Sequence, residues 1–308
     1  MQKIQFGLSL PSGPAAGMTR GDYMEAIQKG LGLVSGHFDA AWFVDHLQSD
    51  NNPLLEGWTA INYLTPLYPQ LRFGHIVLAQ SFRNPALLAK MAATLQFMSG
   101  GRFILGIGAG WKEDEYRSYG YEFPSAGTRV EELDETLQII KALWRDKQAT
   151  FRGKHYQVVE AYCEPKPDPI PPVLIGGSKP RMLRLIARHA DWWNLSWTSI
   201  ANYRRLVEES ERACAAVGRD AATLRRTWFG GCICAPTEQE VKALNPGSLS
   251  NEQGAIVGTP QQVIEQMREY IDLGVDYFIL AWGGRTGRPN PITLELLVNE
   301  VLPALNRS

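Results

Sequence analysis

The sequence predicts a (β/α)₈ TIM barrel, a closed ring of eight parallel strands with a helix after each. Short apolar runs recur without polar alternation, as in Phe103-Ile-Leu-Gly-Ile107, which suits strands buried on both faces. Between them lie segments with apolar residues at helical spacing, and 308 residues allow about 38 per strand–helix unit. A doubly wound open sheet is the competing architecture, but the glycine-rich phosphate turn expected after its first strand is missing. One barrel domain is expected over residues 1–308, with a small insertion at about 148–172 between helix four and strand five.

Ile4–Leu10 is the first strand, and Asp22–Val34 the first helix, with Met24, Ile27, Leu31 and Val34 on one face. Phe38–Val44 is strand two and ends at Asp45-His46. Glu56–Leu64 is helical and stops near Pro66 and Pro69; Leu71–Leu78 is strand three. Asn84 caps a helix with Pro85 in its first turn. Leu88, Met91, Ala92, Leu95 and Met98 form its core face, and Gly100-Gly101 close it. Phe103–Ile107 is strand four. Thr128-x-x-Glu131 reads as a capping box opening a helix striped by Val130, Leu133, Leu137, Ile140 and Trp144.

In the insertion, Phe151–Val158 forms a small hairpin around Gly153, and five prolines between Pro165 and Pro172 hold the chain extended. Val173–Ile175 is strand five, and Gly176-Gly177-Ser178 turn into a helix with Pro180 in its first turn. Trp192–Ser196 is strand six, followed by a helix over Asn202–Val217. Leu224–Ala235 is strand seven, Thr237–Leu244 a short helix, and Gly247–Gly254 a polar, mobile loop. Thr259-Pro260 cap a helix with Val263, Met267 and Ile271 inward. Tyr277–Trp282 is strand eight, and Ile292–Leu302 the closing helix.

Net charge is −1 with both signs mixed, so no basic patch suggests nucleic acid or an anionic membrane. No stretch reaches transmembrane length, and the first residues lack the apolar core of a signal peptide. Four cysteines in a chain this long do not make a disulfide scaffold, which fits a reducing cytoplasm. Cys232 and Cys234 share one side of a strand without a second pair or a histidine cluster, so no metal is expected there.

In a barrel, chemistry sits where strands end on their carboxyl side. That selects Leu10, Asp45-His46, the region after His75, Gly108–Trp111, Gly176–Ser178, Ser196-Trp197, Cys234 and Trp282. Gly106-x-Gly108-x-Gly110 is not a dinucleotide fingerprint, because the third glycine's place is taken by Trp111. The mostly acidic Lys112–Glu115 would also compete with a phosphate. The bare backbone there leaves room for a ring system; close helix–strand packing is the other explanation.

The run Phe82-Arg83-Asn84-Pro85, Ser99-Gly-Gly-Arg102, Gly106-x-Gly108-x-Gly110-Trp111 and Glu115-Tyr116 resembles the bacterial luciferase-like monooxygenase family. Pro171-Pro172-Val-Leu-Ile-Gly176-Gly177 and Ala190-Asp191-Trp192-Trp193 extend the resemblance over almost the whole chain. Val44-Asp45-His46 is most similar to the branch that uses the deazaflavin coenzyme F420. The resemblance implies a barrel whose mouth holds a flavin-type ring, with a bulge in strand three and a non-proline cis peptide at Ile76–Val77 behind that ring. It implies a phosphate contact at Gly176, Gly177 and Ser178, in keeping with anion binding at a helix N-terminus. Ala109 and Gly110 match positions lying against the ring. Two departures stand out. Gly108 and Ala109 replace the reactive cysteine and arginine of bacterial luciferase, which argues against light emission. Trp111 replaces the glutamate of the deazaflavin-dependent sugar-phosphate dehydrogenase.

His46 is the first candidate for catalysis, as an imidazole beside the ring that takes a substrate proton or stabilises charge on the reduced ring. Asp45 can orient His46 or accept from a ring N–H; an ordinary turn aspartate is the alternative. His75 is expected to be a buried, hydrogen-bonded histidine. Trp111, Trp197 and Trp282 can wall an apolar substrate pocket or pack as core. The resemblance thus implies hydride transfer between F420 and a small organic substrate. The alternatives are an FMN-dependent monooxygenase fed by a separate flavin reductase, or a flavin-binding protein without catalysis. A homodimer is expected from the family.

Overall fold

The computed structural model describes residues 3–50, 52–282 and 290–307. The barrel strands are β1 (Gln5–Ser9), β2 (Ala40–Phe43) and β3 (Arg72–His75), which resumes after a bulge as the two-residue β4 (Leu78–Ala79). Then come β5 (Phe103–Gly108), β8 (Val173–Gly176), β9 (Trp192–Ser196), β10 (Arg225–Cys234) and β12 (Val275–Ala281). Between β5 and β8, β6 (Ala149–Arg152) and β7 (Gln157–Ala161) form the antiparallel hairpin of the insertion. Every barrel pairing is parallel, and β12 closes on β1 with Gln5 opposite Tyr277. The unexpected β11 (Ile256–Gly258) lies beside the end of β10, Cys232 opposite Ile256. It occupies the exit of the polar 247–254 stretch, which itself holds a 3₁₀ turn at Asn251–Gln253.

Helices α1 (Arg20–Val34), α2 (Gly57–Leu64), α3 (Pro85–Ser99), α4 (Glu113–Ser118) and α5 (Ala126–Arg145) surround the first half. The second half carries α6 (Pro180–His189), α7 (Ile200–Ala216), α8 (Glu238–Leu244), α9 (Pro260–Ile271), α10 (Pro291–Leu296) and, after a π turn, α11 (Leu302–Asn306). No helix among the described residues is long and apolar enough to cross a membrane. Asn84 accepts from the Ala86 and Leu87 N–H groups at the start of α3, and Gly100 closes that helix in the left-handed conformation. Two local expectations fail. Ser125, not Thr128, caps α5: its hydroxyl accepts from the Thr128 N–H, so the helix starts one turn earlier than the box suggested. Met98 is 79% exposed and Met91 half-buried, because the buried face of α3 runs through Leu88, Ala89, Ala92, Ala93 and Leu95.

Strand residues alternate between two cores. Phe6, Leu8, Phe43, Phe73, Leu105, Ile107, Ile175, Trp193, Phe278 and Leu280 face the helices. Inside the barrel, Ala40, Trp42, Ile104, Leu174, Trp192, Tyr277 and Ile279 fill the axis. Bulk and absence interlock there. A methyl at Gly7 would lie 2.3 Å from Trp42 Nε1, and one at Gly106 would lie 1.8 Å from the His75 carbonyl oxygen. At these positions bare backbone lies directly against its neighbours in the barrel interior.

Candidate active site

At the carboxyl end of the strands lies a cavity of about 620 Å³. Its wall includes Ile76 and Val77, Gly108 to Gly110, and Gly176 to Ser178, three segments far apart in sequence. The Ile76–Val77 peptide bond is cis, at the position the resemblance implies. A methyl on Gly108 would lie 2.9 Å from Val77 Cγ2, and one on Gly110 would lie 1.8 Å from the Tyr116 hydroxyl, at a φ of +73°. Side-chain-free backbone is thus required at Gly108 and Gly110. At the far end, Lys179 precedes α6 without a side-chain cap, so the first-turn amides of a ten-residue helix open beside Gly177 and Ser178. The glycine segments and this helix start line one and the same cavity.

His46 lines the same cavity and is half-buried. Its Nδ1 lies 3.0 and 3.1 Å from the two carboxylate oxygens of Glu115, which is only 2% exposed. Its ring meets that of Trp111 edge-to-face at 5.7 Å. Trp111 is 71% exposed at the rim, while Trp197 forms the opposite wall, edge-on to Phe229 at a 6.4 Å separation. Trp197 has a φ of +48°, uncommon for a bulky side chain. Trp282 does not belong to this wall. Within β12, Tyr277, Ile279 and Ala281 point into the barrel, so the next residue points out; Trp282 packs against Gly30 of α1 and donates to the Asn290 carbonyl.

Asp45 reaches the cavity wall, but it is not the carboxylate bonded to His46. Arg83 donates to both of its oxygens at 2.8 and 2.9 Å, and the Ala79 N–H donates to it at 3.0 Å. Burial pushes the Asp45 carboxyl above its ordinary range, against the pull of Arg83 and of that amide. Arg83 also donates to Glu56, whose carboxylate caps α2 through the Trp58 and Thr59 N–H groups. One guanidinium therefore ties the end of β2, the start of α2 and, through Asp45, the chain just beyond the cis bond. Sequence reasoning quoted Arg83 and Glu115 only as parts of a motif. Their partners stand 38 and 69 positions away, and spacing alone carries no sign of either pair.

His75 faces outward, stacked on Trp58 at 5.3 Å, and neither ring nitrogen finds a hydrogen-bond partner, contrary to expectation. Burial, aided by the nearby Arg83 charge, pushes its pKa down to about 3. An unfolded chain takes up this proton near pH 6.5, the folded one only near 3, so stability falls as the pH drops through that window. At pH 5 the loss relative to pH 7 is expected to be about 2 kcal/mol. The His75→Phe variant should lack that part of the acid sensitivity, as read by denaturant unfolding at the two pH values. An unchanged pH dependence would contradict the burial of a neutral ring.

The model for luciferase-like monooxygenases matches residues 4–245 of this chain. An F420-dependent glucose-6-phosphate dehydrogenase of Microbacterium testaceum is 27% identical over 305 residues, covering 88% of this chain and 90% of its own. A phthiodiolone/phenolphthiodiolone dimycocerosates ketoreductase of Mycobacterium bovis is 26% identical, covering 92% and 87%. Among solved structures, an F420-dependent secondary alcohol dehydrogenase in complex with an F420-acetone adduct shares the fold at a TM-score of 0.83. It has 19% identity and covers 99% of this chain and 100% of its own. Together with the barrel, its glycine-lined mouth and the extent of the match, this settles the family: the chain belongs to the luciferase-like monooxygenases.

Proposed function

We propose that this protein is an F420-dependent oxidoreductase that moves a hydride between the coenzyme and a small organic substrate, with His46 as the proton carrier. One observation carries the proposal: two glycine-rich segments and the cis-linked Ile76–Val77 meet around a single cavity that has an imidazole on its wall. The F420-dependent relative and the structural neighbour support the choice of coenzyme. Ile76, Val77, Ala109 and Gly110 would hold the ring, and Gly176, Gly177 and Ser178 the phosphate end. F420 supplies a two-electron hydride acceptor whose reactive ring position is carbon.

In the oxidising direction His46 would take the hydroxyl proton while the bound coenzyme serves as acceptor of the substrate hydride, and in the reducing direction it would return that proton. Trp111, Trp197 and Phe229 line the cavity and would offer an apolar wall to the carbon skeleton of the substrate. The four cysteines are unpaired and buried, in keeping with an enzyme of a reducing cytoplasm.

Titration of the chain with F420 and, separately, with FMN, followed by quenching of ring fluorescence, tests the proposal. Tight binding of F420 and weak binding of FMN are expected. FMN binding without F420 binding would replace the proposal by an oxygen-dependent monooxygenase served by a reductase.

A further inference from the structure

A carboxylate accepts hydrogen bonds and donates none, so the His46 nitrogen that meets Glu115 must carry the proton. Glu115 is held in place from the other side. Lys112 donates to its Oε1 at 3.2 Å and to the Gln48 carbonyl at 2.7 Å, two residues beyond His46. The loop after His46 is fastened to α4 twice more, by Gln48 to the Ser118 hydroxyl at 3.1 Å and by the Tyr119 hydroxyl to the Leu47 carbonyl at 3.0 Å. Packing against the Trp111 ring restricts the imidazole further. These contacts join one loop to α4 and its two capping residues around a single buried carboxylate.

We infer that Glu115, braced by Lys112, is the positioning residue that fixes the tautomer of His46. The proton sits on Nδ1, and Nε2 keeps its lone pair free to accept the substrate proton. This rests on the assignment of His46 as proton carrier in the proposed reaction. It accounts for a carboxylate standing buried in the first turn of the six-residue α4. A free neutral imidazole favours the proton on Nε2, which would leave no acceptor on that atom. In the reducing direction the same arrangement stabilises the imidazolium before it gives its proton up.

The test reads the imidazole itself. The chain has five histidines, so ¹⁵N-histidine NMR resolves them, and the signal lost in His46→Asn assigns His46. With no coenzyme present, neutral wild-type His46 should show a protonated, pyrrole-type Nδ1 and a pyridine-type Nε2. In Glu115→Gln, Lys112 draws the carboxamide oxygen and the amide N–H faces Nδ1, so the two signatures should exchange. A wild-type spectrum with the proton on Nε2, or an unchanged tautomer in Glu115→Gln, would overturn the inference. The wild-type spectrum decides alone if the variant fails to fold. Because no F420 is added, the result stands apart from the coenzyme titration.

Discussion

Replacing His46 with alanine is expected to lower turnover by about 10²–10⁴-fold while F420 remains bound. That range is what a positioned general base contributes when it shares a proton in the transition state. The coenzyme is retained because its proposed slot consists largely of backbone at 108–110 and 176–178, which the substitution does not touch. The F420 dissociation constant should stay within about tenfold of wild type, a difference of 1.4 kcal/mol. Removing the ring also frees Glu115, which keeps Lys112 as its partner, so folding should be little disturbed. Stopped-flow reduction of F420 and equilibrium fluorescence titration measure the two effects separately. Turnover near the wild-type rate would remove His46 from the chemistry, and loss of coenzyme binding would recast it as a wall of the slot.

The Arg83→Met variant is expected to lose about 3–5 kcal/mol of stability, the usual cost of stranding one member of a buried ion pair. Arg83 and Asp45 are 11% and 1% exposed in their side chains. Without the guanidinium, Asp45 would keep only the Ala79 N–H, and Glu56 would keep only its capping bonds. Pairing Arg83→Met with Asp45→Asn should recover part of the loss, because no unpaired charge then stays buried. Urea unfolding of the single and double variants measures this. A single-variant loss below about 1 kcal/mol would place the pair with ordinary surface bridges.

Much of this architecture was legible in the chain. Buried parallel strands appear as unbroken apolar runs, so Phe103–Ile107 and Val173–Ile175 stood out. Asn84, Pro85 and Gly100 marked the ends of α3 through local chemistry alone. What escaped was orientation and long-range pairing. Trp282 ends a strand on the correct side of the barrel yet faces the helices, a matter of parity that needs an inward-facing residue such as Tyr277 as reference. Met98 follows apolar spacing but falls off the buried stripe of a helix whose core face is mainly small and aliphatic. Glu115 holds the place beside His46 that was expected of Asp45: which carboxylate reaches the imidazole depends on how the loop after β5 folds back. The three residues of β11 are too few to carry a periodic signal.

The seam between β1 and β12 has a bearing on how the protein is made. Gln5 is made 272 residues before its neighbour Tyr277, and Asn306 then bonds both the N–H and the carbonyl of Ile4. Until β12 is made, one edge of the first strand lacks its partner, and such an edge can recruit other nascent chains. Ring closure must wait for that strand, so chaperone demand should persist until it has emerged.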